Sequence, residues 1–418
     1  MMEPHSISLA REPTIKRRSL VAWAGYRSGV SVESMDRTVI GSVATPLTHA
    51  AANSTLLAAA LKEQMGVVLP SQGWRNQLER TDKKRLGGFA NLSVSRPAIV
   101  LRPDEQRYRT SFAERYSADH LEGELSAGAT IATTPGHVLA EECAIGRENE
   151  LLLARLSAEE FAARRGSAPA PGQPATARRA LYATIMLQGE HAKHPEIVAR
   201  LLAEYEALEG VSGYWIIATN CNQSGVQLAG YARLALGLQA ATGRATVCSG
   251  VGDTHLALLA SGVAATCVGL HGMTFTFPPA PLPEPDPESE EDPPGLGIPV
   301  YHRTILGNVG APGADGANAR RAIFRNQPCP CGHHQADEPP ERRQATVRHN
   351  AWSVSADAGE LARPTVADAE RLLRARAETA ARTRTFLKLG KLKPGFASVA
   401  PAAAAVRDAG SAATDSSG

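Results

Sequence analysis

The densest chemistry in the chain lies near its C-terminus, where Cys329-Pro330-Cys331-Gly332-His333-His334 is followed fifteen residues beyond His334 by His349. Thiolates and imidazoles are the ligands of a tetrahedral structural Zn²⁺. Cys329, Cys331, His334 and His349 supply a full set of four. His333 can replace His334 without strain, so the spacing leaves that ligand open. The competing reading is an exposed Cys/His loop that binds nothing. An isolated reduced pair of cysteines is a redox liability, which favours the metal. A second set of residues stands where apolar runs end: Gln188, Gly189 and Glu190 after 181–187, Asn220 after 214–219, Asp253 after 245–249, and His271 after 264–269. Gln188 both donates and accepts, as reading the edge of a heterocyclic base requires. Gly189 allows a flat ligand close to the backbone. Glu190 could equally solvate a loop, and Asp253 reads better as a helix cap. A third set is basic: Arg371, Arg374, Arg376, Arg382, Arg384, Lys388, Lys391 and Lys393 could contact phosphate or form a solvated helix face.

Positioning these residues requires a scaffold, and the run from 178 to 272 describes one. Residue 181–187 is an apolar run, followed from Pro195 by a helix with Ile197, Leu201, Tyr205 and Leu208 on one face and Gly210 to stop it. Residues 214–219 form a second buried run. A helix carrying Val226, Tyr231, Leu234 and Leu238 closes at Gly243, and 245–249 is a third run. Asp253 then caps a short helix with Leu256 and Leu259, ended by Gly262, before the fourth run at 264–269. Alternating strand and helix means parallel strands with crossover helices. Continuous rather than alternating apolar strands mean that both faces are covered. The first half offers four shorter candidates at 20–23, 67–69, 98–101 and 130–132. Four and four make a (β/α)8 barrel, with an open doubly wound sheet as the alternative. In such a barrel, chemistry gathers at the C-terminal strand ends, where the residues above stand.

Composition bounds the rest. The 418 residues are 43% hydrophobic and 5% aromatic, enough for a core built on Ala, Leu and Val and too much for a disordered chain. A net charge of +2, from 44 basic and 42 acidic residues, excludes a polycationic nucleic-acid coat but not a local basic face. Six cysteines are too few for a disulfide scaffold; Cys143, Cys221, Cys248 and Cys267 are scattered, and the last three, in or beside apolar stretches, read as buried structural thiols. No apolar run is long enough for a membrane span, and the first residues lack the apolar block of a secretory signal, so a cytoplasmic protein without membrane contact is expected. The expected division is a tail at 1–18, the barrel at 19–276, an acidic Pro-rich insertion at 277–299, a zinc-binding and helical part at 300–395 and a disordered tail at 396–418. The insertion holds nine prolines and six acidic residues. A loop is expected at 166–175, a strand at 300–306 and a long Arg- and Ala-rich helix at 365–389.

Taken in order, these pieces acquire a common meaning. The run LYATIMLQG, then a helix, then GYWIIATN resembles the queuine/archaeosine tRNA-guanine transglycosylase family. There a strand ends in Gln-Gly, and the next begins Gly-Tyr and ends at backbone that holds the base. Ser249-Gly250-Val251-Gly252 is similar to that family's Gly-Val-Gly turn on the seventh strand. The Cys-x-Cys-x-x-His run with His349-Asn350 resembles its Cys-x-Cys-x-x-Cys zinc site with a following His-Asn. The resemblance covers residues 178–355. It implies a (β/α)8 barrel with a C-terminal zinc-binding subdomain and a base held by Gln188, Gly189, Ala218, Thr219 and Asn220. The ligand implied is a purine or 7-deazapurine such as 7-deazaguanine or queuine, presented by tRNA or DNA that the basic C-terminal helix would contact. A homo-oligomer is compatible with it.

The departures bear on activity. The family's nucleophilic aspartate follows the Gly-Val-Gly turn, and the matching position here reads as Thr266. Its Asp-Ser-Gly-Gly motif survives as Pro70-Ser71-Gln72-Gly73-Trp74, without the carboxylate. One zinc thiolate has become histidine, and the spacer to the last ligand is shorter. Threonine without an adjacent base is a poor nucleophile. The expectation is a divergent member that binds a base with altered or lost exchange. If a carboxylate or imidazole does act, Asp104, Glu190 and His271 are the candidates, because each lies just beyond an expected strand. The alternatives are a non-catalytic zinc-stabilised interaction barrel and an unrelated (β/α)8 hydrolase or lyase using Glu190 and His271.

Overall fold

In the computed structural model, residues 18–24, 32–70, 102, 104, 106–139, 143–164, 179–219, 224–269, 299–309, 314–362 and 365–388 are described. Eight parallel strands close into a barrel in sequence order: β1 Ser19–Trp23, β2 Ile40–Ala44, β3 Gly66–Val68, β4 Ile131–Thr133, β5 Ala180–Gln188, β6 Gly213–Thr219, β7 Ala245–Ser249 and β8 Ala265–Gly269. The last strand pairs with the first from Ser19↔Ala265 to Trp23↔Gly269. The fold is therefore the (β/α)8 barrel, and the open sheet is excluded. Residues 98–101, expected as a strand, lie outside the described residues, and β2 is a barrel strand not among those expected.

Side chains inside the barrel come from alternate positions: Val21, Ala44, Val68, Ile131, Ala180, Tyr182, Trp215, Val247, Ala265 and Cys267. Two large rings, Tyr182 and Trp215, fill the interior against small neighbours, so the barrel is a packed core rather than a channel. The opposite strand faces, including Leu20, Ile40, Leu181, Tyr214, Ile216, Cys248 and Val268, join the layer beneath the helices.

That layer comprises α1 Ser54–Lys62, α2 Ser111–Ser126, α3 Ala144–Ala163, α4 Gly189–Ala192, α5 Pro195–Glu206, α6 Gly225–Thr242 and α7 His255–Ala260. Local signals set several ends. Pro195 opens α5 at its first turn. Ser224 and Gln227 form a reciprocal capping box at the start of α6, and left-handed Gly243 ends it. Asp253 lies in the 3-10 turn Gly252–Thr254, and the residue at the α7 N-cap is Thr254, one position beyond the expected cap.

Past the barrel, β9 Val300–His302 and β10 Gly307–Val309 pair antiparallel. The single strand expected at 300–306 is broken because Leu306 turns left-handed, at φ 48°. Helices α8 Ala314–Asn326, α9 Arg343–Ala362 and α10 Val366–Phe386 follow. Helix α9 packs on β1 and α7, and α10 packs on α7, so the C-terminal part is seated on the barrel's last units. Among the described residues no helix is long and apolar enough to cross a membrane. The 166–175 loop, the acidic Pro-rich stretch up to 298 and the tails at 1–17 and 396–418 lie outside the described residues.

Candidate functional site

The loop between α8 and α9 brings Cys329, Cys331, His334 and His349 together, with one ligand atom of each within 4.8 Å of the others. His334 is thus the residue that joins the cluster. Gly332, left-handed at φ 72°, lets the chain turn back on itself between the second thiol and the imidazole. The Cys331 Sγ also accepts the His333 backbone N–H at 3.4 Å.

The imidazoles are held from behind. His349 Nε2 donates to the Tyr301 carbonyl at 2.7 Å, and His334 Nδ1 donates to the Gln335 carbonyl at 2.7 Å. Each ring therefore turns its other nitrogen inward, which is how metal-binding histidines are fixed. Those inward atoms, His334 Nε2 and His349 Nδ1, stand 2.9 Å apart. The Cys329 and Cys331 sulfurs lie 3.4 and 3.6 Å from His349 Nδ1. Four electron-pair donors converging on one point fit a bound cation. The thiols are electrostatically split: a hydrogen bond from Cys329 holds the Cys331 thiol far below its usual value. Sharing that proton, and then burial, push the Cys329 thiol up. A metal would displace the shared proton.

The next residue in the sequence, Asn350, completes the attachment. Its Oδ1 accepts from Tyr301 N at 2.8 Å and its Nδ2 donates to the Pro299 carbonyl at 2.9 Å. The His-Asn pair therefore pins β9 to α9 beside the cluster.

The barrel mouth is the other site. On β5, the interior parity that includes Tyr182 runs through Thr184 and Met186 to Gln188, which is 8% exposed. Its side chain makes no capping bond to the start of α4. Gln188 pairs across the sheet with Thr219, and Gly189 begins α4 directly beside it. On β6, Ala218 faces the helices, so only its backbone can serve the mouth. Left-handed Gly250 covers that backbone, since a Cβ there would lie 2.3 Å from the Ala218 carbonyl oxygen. Trp215 Nε1 donates to Ser249 Oγ at 3.2 Å, tying the ends of β6 and β7 together.

Thr266 requires a correction. Ala265 and Cys267 lie in the barrel interior, so strand alternation turns Thr266 outward toward the helices, where it is fully buried and its hydroxyl has no partner among the described residues. It cannot occupy a nucleophile's place at the mouth. None of the eight strands contains an Asp, Glu, His, Lys or Arg.

The candidate acids do not converge. Glu190 is exposed and its carboxylate pairs with Lys193 Nζ at 2.8 and 2.9 Å, which holds it below the usual carboxylate range. Asp104 is exposed in a turn. Asn220 and His271 lie outside the described residues. Of the basic series, Arg376 is drawn inward to Asp357 at 2.7 Å and Arg384 bonds the Ile305 carbonyl, whereas Arg371, Arg374, Arg382 and Lys388 are exposed. Lys391 and Lys393 lie outside the described residues.

A buried network behind the end of β4 was not visible in the sequence. Glu150 accepts both the Nδ1–H and the backbone N–H of His137, at 2.5 and 2.9 Å, and Tyr108 OH bonds His137 Nε2 at 3.0 Å. Alongside, Glu124 accepts the Thr133 hydroxyl at 2.8 Å and its N–H at 2.6 Å. These bonds fix the segment after β4, whose Gly136 lies against Thr184 and Met186 on the inner face of β5.

No family model and no curated protein matches this sequence.

Proposed function

We propose that the protein is a divergent transglycosylase-like barrel that binds a purine or 7-deazapurine base presented by nucleic acid, with Zn²⁺ held by Cys329, Cys331, His334 and His349. The observation that carries this reading is Gln188: a largely buried side chain on the inner face of β5, at the mouth beside Gly189 and Thr219, that makes no capping bond to α4. An amide at the mouth that is not used to cap α4 is available to pair with a ligand. A purine edge offers the matching acceptor and donor, and Gly189 leaves room for its plane.

The metal's part is structural. Two thiolates and two imidazoles favour zinc over harder cations, and four protein ligands leave no open position for water or substrate. Bound there, the ion joins the 329–334 loop to α9, and through His349 and Tyr301 to β9. The exposed Arg371, Arg374 and Arg382 of α10 are the residues available to nucleic-acid phosphates. Barrel strands without a carboxylate support binding without exchange, because a covalent exchange needs a group to hold the sugar's C1.

The test is calorimetric titration with guanine and 7-deazaguanine. Binding is expected, and Gln188→Ala should weaken it by about 1–3 kcal/mol, or roughly 5- to 150-fold. Folded protein with no affinity for either base would instead identify a non-catalytic interaction barrel.

A further inference from the structure

Against the metal-binding loop lies a cavity of about 480 Å³, walled by β9, the turn after it, α9 and α10. Its floor is an ion-pair network. Asp357, whose side chain is fully buried, accepts Arg303 Nε at 2.5 Å, Arg376 Nη2 at 2.7 Å and Tyr301 OH at 2.7 Å. With three charge-assisted or hydroxyl donors, this carboxylate is fully committed and cannot leave. Glu360 is placed differently. Its side chain is 44% exposed, and its carboxylate bridges the same two guanidiniums, taking Arg303 Nη2 on one oxygen and Arg376 Nη1, at 3.0 Å, on the other.

Two guanidiniums aimed at one oxyanion are a phosphate-binding arrangement, and here the chain's own solvent-facing carboxylate stands in for the anion. The surroundings suit a larger ligand than a carboxylate. Thr304, Ser353 and Thr379 line the cavity, and Arg303 lies 5.5 Å from the centroid of the Trp352 ring. Arg382 donates to Thr379 Oγ1 at 3.3 Å, so a further cation stands at the rim. Releasing Glu360 to solvent costs little, since exposed ion pairs are worth about 0–1 kcal/mol.

We propose that this cavity is a phosphate site, gated by Glu360, in which Arg303 and Arg376 receive a phosphate group when Glu360 swings out. It is separate from the barrel mouth and does not depend on base recognition at Gln188. The phosphate reaches it as a free small anion, as a mononucleotide or as part of a nucleic-acid backbone, and three titrations separate these sources.

The experiment compares the wild-type chain with Glu360→Gln, loaded with metal, by calorimetry against inorganic phosphate, a 5′-mononucleotide and a short single-stranded oligonucleotide. Removing the internal competitor should tighten binding of at least one of them by up to about fivefold. Arg303→Lys retains the charge beside Asp357 but loses the fork, and should return the affinity of the Glu360→Gln protein to the wild-type level or below. Circular dichroism and metal content verify the fold of each variant. Preference for phosphate alone, for the nucleotide or for the oligonucleotide identifies the source. Equal affinity of wild type and Glu360→Gln for all three, or no binding by either, overturns the proposal.

Discussion

Replacing Thr266 by valine should stabilise the protein, and the reasoning exposes the reading of β8 to a direct test. The Thr266 side chain is fully buried, and its hydroxyl has no hydrogen-bond partner among the described residues. In most cores this substitution is unfavourable because a paired hydroxyl is lost. Here none is. A desolvated hydroxyl without a partner costs about 1–3 kcal/mol, and valine fills nearly the same volume with a methyl group. Allowing for local relaxation, the expected gain is about 1 kcal/mol, or roughly 2 °C in melting temperature for a domain of this size. Urea unfolding and differential scanning calorimetry measure it. Base binding, assayed on the same samples, should be unchanged because the side chain points to the helices. A loss of stability would show that the hydroxyl has a partner. A loss of base binding would place Thr266 at the mouth and overturn the strand parity argued from Ala265 and Cys267.

Other consequences follow from single contacts. Purified protein should carry about one metal ion per chain, and chelation, Cys329→Ser or His349→Ala should each lower thermal stability and metal content; atomic emission analysis finding no metal would remove the centre. Gly250→Ala sets a Cβ 2.3 Å from the Ala218 carbonyl oxygen at a φ of 78°, so unfolding should become easier by roughly 2–4 kcal/mol. His120 is held neutral down to about 3, first by burial and then by the charge of His137. Its folded value lies below its unfolded one, so its contribution is intact above pH 6.5 and falls by about 1.4 kcal/mol per unit as the pH drops toward 3. Unfolding free energies from urea titrations at pH 7.5 and 5.5 should differ by about 1.4 kcal/mol in total, and His120→Gln should remove that difference.

The legible parts of this molecule are those whose signal is local. Strands β5 to β8 announce themselves as apolar runs closed by turn residues, and the metal group is written in spacing. Choosing His334 over His333 took the left-handed turn at Gly332, which composition does not fix. Strand β2 was missed because Ile40-Gly41-Ser42-Val43-Ala44 has only two large apolar side chains, and its pairing with β1 slips between Leu20 and Val21. The facing of Thr266 could not be read from β8 alone. A period of two gives alternation, but only contacts with neighbouring strands say which set is inside. The Tyr108–His137–Glu150 network joins residues 29 and 13 positions apart, across loops whose approach depends on barrel closure.

Whether the barrel mouth supports covalent catalysis turns on the hydroxyls at the strand ends. Ser249 Oγ accepts the Trp215 indole N–H and lies 3.4 Å from the Ile216 carbonyl, so it is engaged in joining β6 to β7. Thr219 Oγ1 faces the Leu187 carbonyl at 3.5 Å, which can accept its proton only as a weak hydrogen bond. Thr133 alone of the three meets a carboxylate, that of Glu124 at 2.8 Å. A threonine beside a base has the makings of a nucleophile. This carboxylate, however, also takes the Thr133 N–H at 2.6 Å, and the pair is 2% and 0% exposed, which stabilises the anion and denies substrate access. Incubation with guanine-containing tRNA and labelled free base should therefore give no exchange above background and no adduct that survives denaturation. An adduct mapped to Thr133 would show that the pair opens to substrate. One mapped to Asp104 or Glu190 would show that an exposed carboxylate closes over the mouth, and either result would restore catalysis to this barrel.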